Sequence, residues 1–205
     1  MYKIGIMGVH GAGKTSLGYL LSAHFKMKGI NVKLIHESVR ENCPFPINAD
    51  ANQGTCLWNF HTQFRNELDA EAQGYELAIC DRTVVDTFVY YHAVNKETNV
   101  TMAAVHQGVQ WLKTYDVLIC TEPSTSVELF DDGVRDTDIE YQNLIKSGFD
   151  DILYRYAGDV AERVIYATSD DIFDEERKEA LVAKIELHLK KFLNKDAKKE
   201  ELSEV

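Results

Sequence analysis

The stretch that decides the fold is the beginning of the chain, YKIGIMGVHGAGKT, which spans residues 2–15. Residues 2–7 form a short apolar run with the length of a buried strand. Residues 8–15 then match the pattern G-x-x-x-x-G-K-T/S, and residues 15–28 carry apolar side chains at helical spacing. The sequence therefore predicts a strand, a glycine-rich loop and a helix in direct succession, which is the context in which this motif binds phosphate.

The chemistry of this loop follows from its residue types. Glycines let successive backbone N–H groups point at phosphate oxygens, and the start of the following helix adds positive potential. Lys14 can reach the β- and γ-phosphates, and the Thr15 hydroxyl can ligate Mg²⁺. His10 stands at a variable position of the motif, so we expect it in the loop without a catalytic role. The predicted nucleotide-binding residues are Gly8, His10, Gly11, Ala12, Gly13, Lys14, Thr15 and Ser16.

Four further short apolar runs alternate with helix-like stretches, which is the pattern of a parallel α/β sheet. We expect one P-loop domain over residues 1–194 and a charged, frayed tail over residues 195–205. The predicted strands are residues 2–7, 31–36, 75–80, 116–121 and 163–168. The predicted helices are residues 15–28, 51–73, 102–114, 139–156 and 174–193, and residues 84–92 are a further candidate.

Composition narrows the class of protein. The 205 residues carry 33 acidic and 22 basic side chains, a formal charge of −11, which argues against general charge attraction to duplex DNA. The apolar fraction of 45% excludes disorder of the bulk of the chain. The four cysteines are scattered without a C-x-x-C pair, so we expect buried free thiols. With no basic leader and no long apolar segment, the protein is expected to be cytoplasmic.

Charged residues follow the second and third predicted strands, at the edge where open α/β sheets bind ligands. Glu37 is a candidate general base for an acceptor hydroxyl or a group that grips the acceptor. Its alternative role is a carboxylate at a helix N-terminus. Asp81 could hold Mg²⁺ through a water or share the base role, and Arg82 could clamp the acceptor or the transferring phosphoryl group.

Two other classes of P-loop protein fit less well. A GTPase is expected to read guanine with N-K-x-D, whereas the nearest match, residues 95–98, ends in Thr98. A motor ATPase usually ends a strand in paired acidic residues, whereas Asp81 is followed by Arg82. The strand ends therefore favour a small kinase.

The chain resembles the nucleoside- and nucleotide-kinase-like P-loop family that includes the ribosylnicotinamide kinase domain of bacterial NAD regulators, in the broad class of thymidylate and deoxynucleoside kinases. The matching segments are residues 8–15, 37–41, 81–86 and 132–136. The resemblance implies a three-layer α/β P-loop NTPase fold with a five-stranded parallel sheet in the order 2-3-1-4-5. It also implies ATP and Mg²⁺ as cofactors, and a lid over residues 130–137.

In that lid the resemblance assigns Arg135 a catalytic role, neutralising charge on the γ-phosphoryl group. The alternative is a surface loop in which Arg135 pairs with Asp132 or Asp136. A lid would also exclude water and so prevent wasteful hydrolysis of ATP.

The acceptor site is less defined. Aromatic side chains can stack on a base, but core packing explains Trp58 and Phe64 equally well. Ser38 follows Glu37 where deoxynucleoside kinases have a proline-containing motif, so their acceptor preference does not transfer. Adenine-binding residues are expected after the fifth strand, near residues 168–172. The candidate substrate-binding residues are Glu37, Arg40, Trp58, Phe64, Asp86 and Tyr90.

These observations lead to one main expectation and two alternatives. The main expectation is a phosphotransferase that moves the γ-phosphoryl group of ATP to a hydroxyl or phosphate of a nucleoside, nucleotide or related metabolite. The alternatives are a kinase acting on a modified nucleotide within DNA and a regulatory P-loop ATPase. The expected partners are a nucleoside triphosphate and a small-molecule acceptor; nucleic acid is less favoured, no membrane is expected, and a homodimer stays open.

Overall fold

The centre of the molecule is a five-stranded sheet, seen in a computed structural model that describes residues 1–37, 43–47, 50–124, 139–155 and 157–203. All neighbouring strands are parallel and lie in the order β2-β3-β1-β4-β5, which confirms the predicted fold class. Helices cover both faces of the sheet. The strands are β1 (Tyr2–Gly8), β2 (Val32–Ile35), β3 (Leu77–Asp81), β4 (Val117–Glu122) and β5 (Val164–Thr168).

The helices lie where periodicity predicts them, with three differences. The fourth begins at Asn99 rather than at residue 102, because Thr98 and Thr101 form a capping box. Two short helices, one after the fifth long helix and one after β5, contain too few residues for a helical repeat to be recognised in the sequence. The last helix continues to Ser203, since Lys, Glu and Ala favour helix. The helices are α1 (Lys14–Met27), α2 (Gln53–Ala72), α3 (Asp86–Val94), α4 (Asn99–Leu112), α5 (Ile139–Arg155), α6 (Ala157–Val160), α7 (Ser169–Phe173) and α8 (Glu175–Ser203).

Two apolar cores lie on opposite faces of the sheet. One joins the strands to α1 and α8, and the other joins them to α2, α3, α4 and α5. A strand that is buried on both faces has an uninterrupted apolar sequence, so these strands could be predicted from the sequence. Cys56, Cys80 and Cys120 are buried free thiols as expected, while Cys43 is only partly buried. Within the described ranges, no helix has the length and apolar composition needed to cross a membrane.

A buried polar network ties α2 to the amino end of β1. Lys3 Nζ lies 3.1 Å from Glu67 Oε2, and the Glu67 side chain is wholly inaccessible to solvent. Trp111 Nε1 donates to the same carboxylate at 2.7 Å, Gln63 Nε2 donates at 3.0 Å, and the Tyr115 hydroxyl donates as well. A buried ion pair is tolerated only when its remaining hydrogen-bonding capacity is satisfied, as it is here.

Strand register brings the ends of β1, β3 and β4 together at the opposite edge of the sheet. Asp81 pairs with Ile6 in register, and Gly8 pairs with Thr121. Beyond β3, the backbone N–H of Arg82 donates to the Ile6 carbonyl at 3.1 Å. The fold therefore places the glycine loop directly beside the charged residues that end β3.

Candidate active site

The glycine loop after β1 has the backbone that its sequence pattern requires. Gly8, Gly11 and Gly13 have φ angles of 130°, 78° and 83°, a region that L-residues rarely adopt. A Cβ atom on Gly8 would lie 2.1 Å from the Thr121 carbonyl oxygen, so no larger residue fits there. The loop leads directly into α1 at Lys14, which orients the first N–H groups of that helix toward the loop.

Lys14 is buried within this loop. Its Nζ donates to the carbonyl oxygens of Gly8 at 3.0 Å and Val9 at 2.7 Å. Burial, together with the positive charge of Arg82, lowers the pKa of Lys14 to about 8 against the opposing effect of nearby carboxylates. The charged form of Lys14 is therefore destabilised in the loop until an anion such as phosphate binds beside it.

Thr15 and Asp81 form a second polar pair at the start of α1. Thr15 Oγ1 donates to Asp81 Oδ2 at 2.7 Å. Asp81 is buried, and its Oδ1 accepts no hydrogen bond from the part of the chain that the structure describes. A hydroxyl beside a carboxylate with a spare oxygen suits Mg²⁺, which prefers oxygen ligands and keeps several waters.

Magnesium at such a site would depend on phosphate and water for most of its ligands. Among the described residues, no group of three or more His, Cys, Asp or Glu could hold a metal by protein atoms alone. One hydroxyl and one carboxylate are the usual protein share of a nucleotide-bound magnesium. Thr15 and Asp81 therefore fit the ion that the sequence predicts.

Arg82 is the centre of the charged cluster. Its Nε lies 2.6 Å from Glu37 Oε1, one of its terminal nitrogens lies 3.7 Å from Asp86 Oδ1, and its Cζ lies 4.5 Å from the centre of the Tyr90 ring. Burial acts to lower the pKa of Arg82, but the charges of Glu37, Tyr90 and Asp86 outweigh it and raise that pKa. The guanidinium is therefore always charged and is held from three sides.

The backbone of Arg82 is strained. Its φ of 99° is the one positive value among the non-glycine residues that the structure describes. A left-handed backbone costs an L-residue roughly 1–2 kcal/mol. Strain of this kind is concentrated at functional sites, and here it directs an arginine toward the end of the glycine loop.

Asp86 fixes the turn that follows Arg82. The Thr83 backbone N–H and hydroxyl donate to Asp86 Oδ2 at 2.8 and 2.7 Å. Burial raises the pKa of Asp86, while the charges of Arg82 and Lys14 act to lower it. Thr83, which the sequence analysis did not single out, thus orients the carboxylate that contacts Arg82.

The structure brings most of the predicted residues together and separates two of them. Arg82 is close enough to lower the pKa of Lys14. The side chains around these two cations are those of Thr15, Glu37, Asp81, Asp86 and Tyr90. Phe64 instead packs on Trp111, with ring centroids 4.0 Å apart, beside Lys3 at the other edge of the sheet. This contact favours the alternative role of Phe64 in packing, and its role as an acceptor ligand stays a prediction.

Trp58 also lies apart from the charged cluster. It lines an open groove of roughly 470 Å³ on the outer face of α2, and none of the groove residues belongs to the glycine loop or to the cluster around Arg82. Helical periodicity does not specify which face of α2 meets the site. Arg40, Arg135 and the predicted lid over residues 130–137 lie outside the described residues.

Comparisons with known proteins agree with the fold. A family model described as an AAA domain (AAA_28) matches residues 3–163. No curated protein sequence matches the chain. A solved structure of deoxyadenosine kinase from M. mycoides, with the products dCMP and a flexible dCDP bound, is similar with a TM-score of 0.60 at 16% identity, covering 90% of this chain and 98% of that one.

A second solved structure is that of NadR protein in complex with NR. It is similar with a TM-score of 0.59 at 19% identity, covering 91% of this chain and 51% of that one, so the chain spans about half of its length. At these identities the two structures establish the fold, which is the one that the sequence predicts. Since the family model matches well over half of the chain, the protein belongs to this AAA-domain family of P-loop proteins, with the fold of nucleoside kinases.

Proposed function

We propose that the protein is an ATP- and Mg²⁺-dependent phosphotransferase that moves the γ-phosphoryl group to a hydroxyl or phosphate of a nucleoside, nucleotide or related metabolite. The observation that carries this proposal is Arg82, held between Glu37 and Asp86 next to Lys14. A buried cation with its own carboxylates beside the phosphate loop can orient a second substrate for attack on the γ-phosphate. A kinase needs such a group to receive an acceptor.

The glycine loop forms the donor side. Lys14, together with the backbone N–H groups of the loop, would neutralise the β- and γ-phosphates. Thr15 and Asp81 would hold Mg²⁺, which when bound neutralises charge between the phosphates. Phe173, half-exposed in α7, would lie within 3.1 Å of a Cβ on Gly13, so an aromatic ring is available beside the loop for the nucleotide base.

Glu37 and Arg82 form the acceptor side. Asp81 already accepts the Thr15 hydroxyl, so we assign the general base to Glu37. The oxygen of an acceptor hydroxyl would attack the γ-phosphorus in line, its proton would pass to Glu37, and ADP would leave with the electron pair of the broken bond. An acceptor phosphate, already ionised, would attack without a base. Arg82 would stabilise the negative charge of the transferring group.

Several sequence expectations stay proposals. Arg135 in a lid over residues 130–137 would exclude water and neutralise the transferring group. Arg40 would contact the acceptor. The single domain over residues 1–194, with a frayed tail over residues 195–205, likewise stays a prediction.

The decisive experiment incubates the protein with ATP labelled at the γ-phosphate and a panel of nucleosides, mononucleotides and modified DNA. Transfer to a small acceptor supports the proposal, and Lys14→Ala should abolish it. Glu37→Gln should lower kcat about a hundredfold for a hydroxyl acceptor, because general-base catalysis contributes about 10²–10⁴-fold. The exposed Glu71→Gln on α2 is the matched control and should retain full activity.

Two other outcomes would point to the alternatives. Release of phosphate with no labelled acceptor would contradict the kinase proposal and favour a regulatory ATPase. Labelling of the modified DNA alone would favour a kinase that acts on nucleic acid.

A further inference from the structure

The histidine inside the glycine loop is buried. His10 is 6% exposed, although it occupies a variable position of the motif. Its ring lies near two tyrosines, with centroids 6.1 Å from that of Tyr90 on α3 and 5.7 Å from that of Tyr141 on α5. A loop residue that only connected glycines would be free to face solvent. His10 is instead built into the packing between the loop and two helices.

Tyr90 links the donor and acceptor sides of the site. Its hydroxyl lies 3.4 Å from the Gly8 carbonyl oxygen and 3.5 Å from His10 Nδ1, while its ring faces the guanidinium of Arg82 at 4.5 Å. The same Gly8 carbonyl accepts a hydrogen bond from Lys14 Nζ at 3.0 Å. One side chain therefore touches the loop that holds Lys14 and the cation that faces the acceptor.

The chemistry of Tyr90 suits this bridging position. Burial raises the pKa of Tyr90, so the hydroxyl stays protonated and can donate to the loop. The face of its ring carries partial negative charge, which attracts the guanidinium. The strained backbone of Arg82 persists only where surrounding contacts hold the residue, and the Tyr90 ring is one of them.

We propose that Tyr90 and His10 are positioning residues, which hold Arg82 in register with the phosphate loop so that both cations meet the same transferring phosphoryl group. This inference rests on the proposed phosphotransferase function. The anchor is the Tyr90 hydroxyl, held by the Gly8 carbonyl and by His10 Nδ1. Tyr90 thus acts on the reaction through Arg82 rather than as a ligand of the acceptor.

Substitutions that separate hydrogen bonding from packing test the proposal. Tyr90→Phe keeps the ring under Arg82 and removes the hydroxyl; we expect kcat for transfer to fall about ten- to a hundredfold, as small displacements of reacting groups can cost. His10→Asn keeps a polar side chain that can donate or accept near the Nδ1 position and should retain most activity. His10→Phe keeps the ring and should lower kcat as Tyr90→Phe does.

Two further measurements exclude a merely structural effect. ATP affinity, which depends on Lys14 and the loop, should stay within about twofold of the wild type in all three variants. The double variant His10→Phe/Tyr90→Phe should lose no more activity than Tyr90→Phe alone, because the hydroxyl that His10 contacts is already absent from that variant. Tyr91→Phe, which alters another buried tyrosine of α3, is the matched control and should leave kcat unchanged.

Each other outcome overturns a different claim. Wild-type kcat in Tyr90→Phe, or an active His10→Phe beside an impaired His10→Asn, would show that these rings only pack, and would leave the phosphotransferase proposal standing. Failure of the wild type to transfer phosphate to any acceptor would overturn both proposals. Thermal melting identifies any variant that does not fold, and the two His10 variants decide the matter if Tyr90→Phe is one.

Discussion

The affinity for ATP should fall above pH 8, because the protein must hold Lys14 charged in order to bind phosphate. Burial and the charge of Arg82 lower the pKa of Lys14 to about 8 in the protein without nucleotide. Phosphate oxygens beside the ammonium group favour its charged form, so the complex keeps the proton that the free protein loses. Binding above pH 8 therefore includes the uptake of one proton.

The size of the effect follows from that pKa. Below pH 7 nearly every molecule carries the proton, and the affinity should not change with pH on account of Lys14. At pH 9 only about one molecule in ten carries it, so the affinity should be about tenfold weaker, a loss of about 1.4 kcal/mol. Each further pH unit should cost another factor of about ten, until the pKa of Lys14 in the complex is reached.

Isothermal titration calorimetry with ATP and Mg²⁺ from pH 7 to pH 9.5 measures this dependence. Repeating each titration in two buffers of different ionisation enthalpy counts the protons taken up. Lys14→Arg is the matched control, since arginine stays charged over this range and its affinity should not vary. Arg82→Met removes the second cause of the low pKa and should move the midpoint of the fall to higher pH.

Two results would refute this reasoning. An affinity that stays constant from pH 7 to pH 9.5 would show that Lys14 is charged throughout, so that its burial costs less than the structure indicates. An equal fall in Lys14→Arg would assign the dependence to another group.

Three further predictions concern stability and backbone geometry. Lys3→Met leaves the buried Glu67 carboxylate without its cation and should lower the free energy of unfolding by about 3–5 kcal/mol. Calorimetry should then show Tm lower by roughly 6–20 °C, and a decrease of less than 3 °C would contradict the assignment. Gly8→Ala should abolish ATP binding, whereas Gly29→Ala, with positive φ but open space around it, should retain it. Arg82→Gly should have a free energy of unfolding about 1 kcal/mol higher than that of Arg82→Ala, because glycine relieves the strain at φ 99°. It should therefore unfold at a higher urea concentration, and equal midpoints would mean that the backbone relaxes.

Much of the fold could be predicted because parallel strands are buried on both faces. Each central strand is a continuous apolar run, and the chemistry changes abruptly where the strand ends. Element boundaries were less predictable, since they depend on single contacts. Strand β3 includes Asp81 because its backbone pairs with Ile6, and α4 starts early because Thr98 caps it.

The candidate site was predictable where it depends on strand ends and not where it depends on helix faces. Glu37, Asp81 and Arg82 could be predicted because they lie at or just beyond the carboxyl ends of β2 and β3. The outer face of α2 carries Trp58, whereas Phe64 turns toward α4, and a helical repeat cannot distinguish these directions.

The contact between Tyr90 and His10 joins residues 80 positions apart. The positive φ of Arg82 contradicts the preference of its own residue type. Neither feature leaves a pattern in the sequence.

Strand β1 is fixed at both of its ends. Its amino end is fastened by the ion pair of Lys3 with Glu67, and its carboxyl end continues into the loop that surrounds Lys14. Between them the strand pairs with β3 on one side and β4 on the other. The loop thus follows a central strand that is hydrogen-bonded on both sides. Amide protons of β1 should therefore exchange only when the whole domain unfolds. Any segment that encloses a substrate would therefore have to move toward the phosphate loop, because the loop itself is held in place by β1.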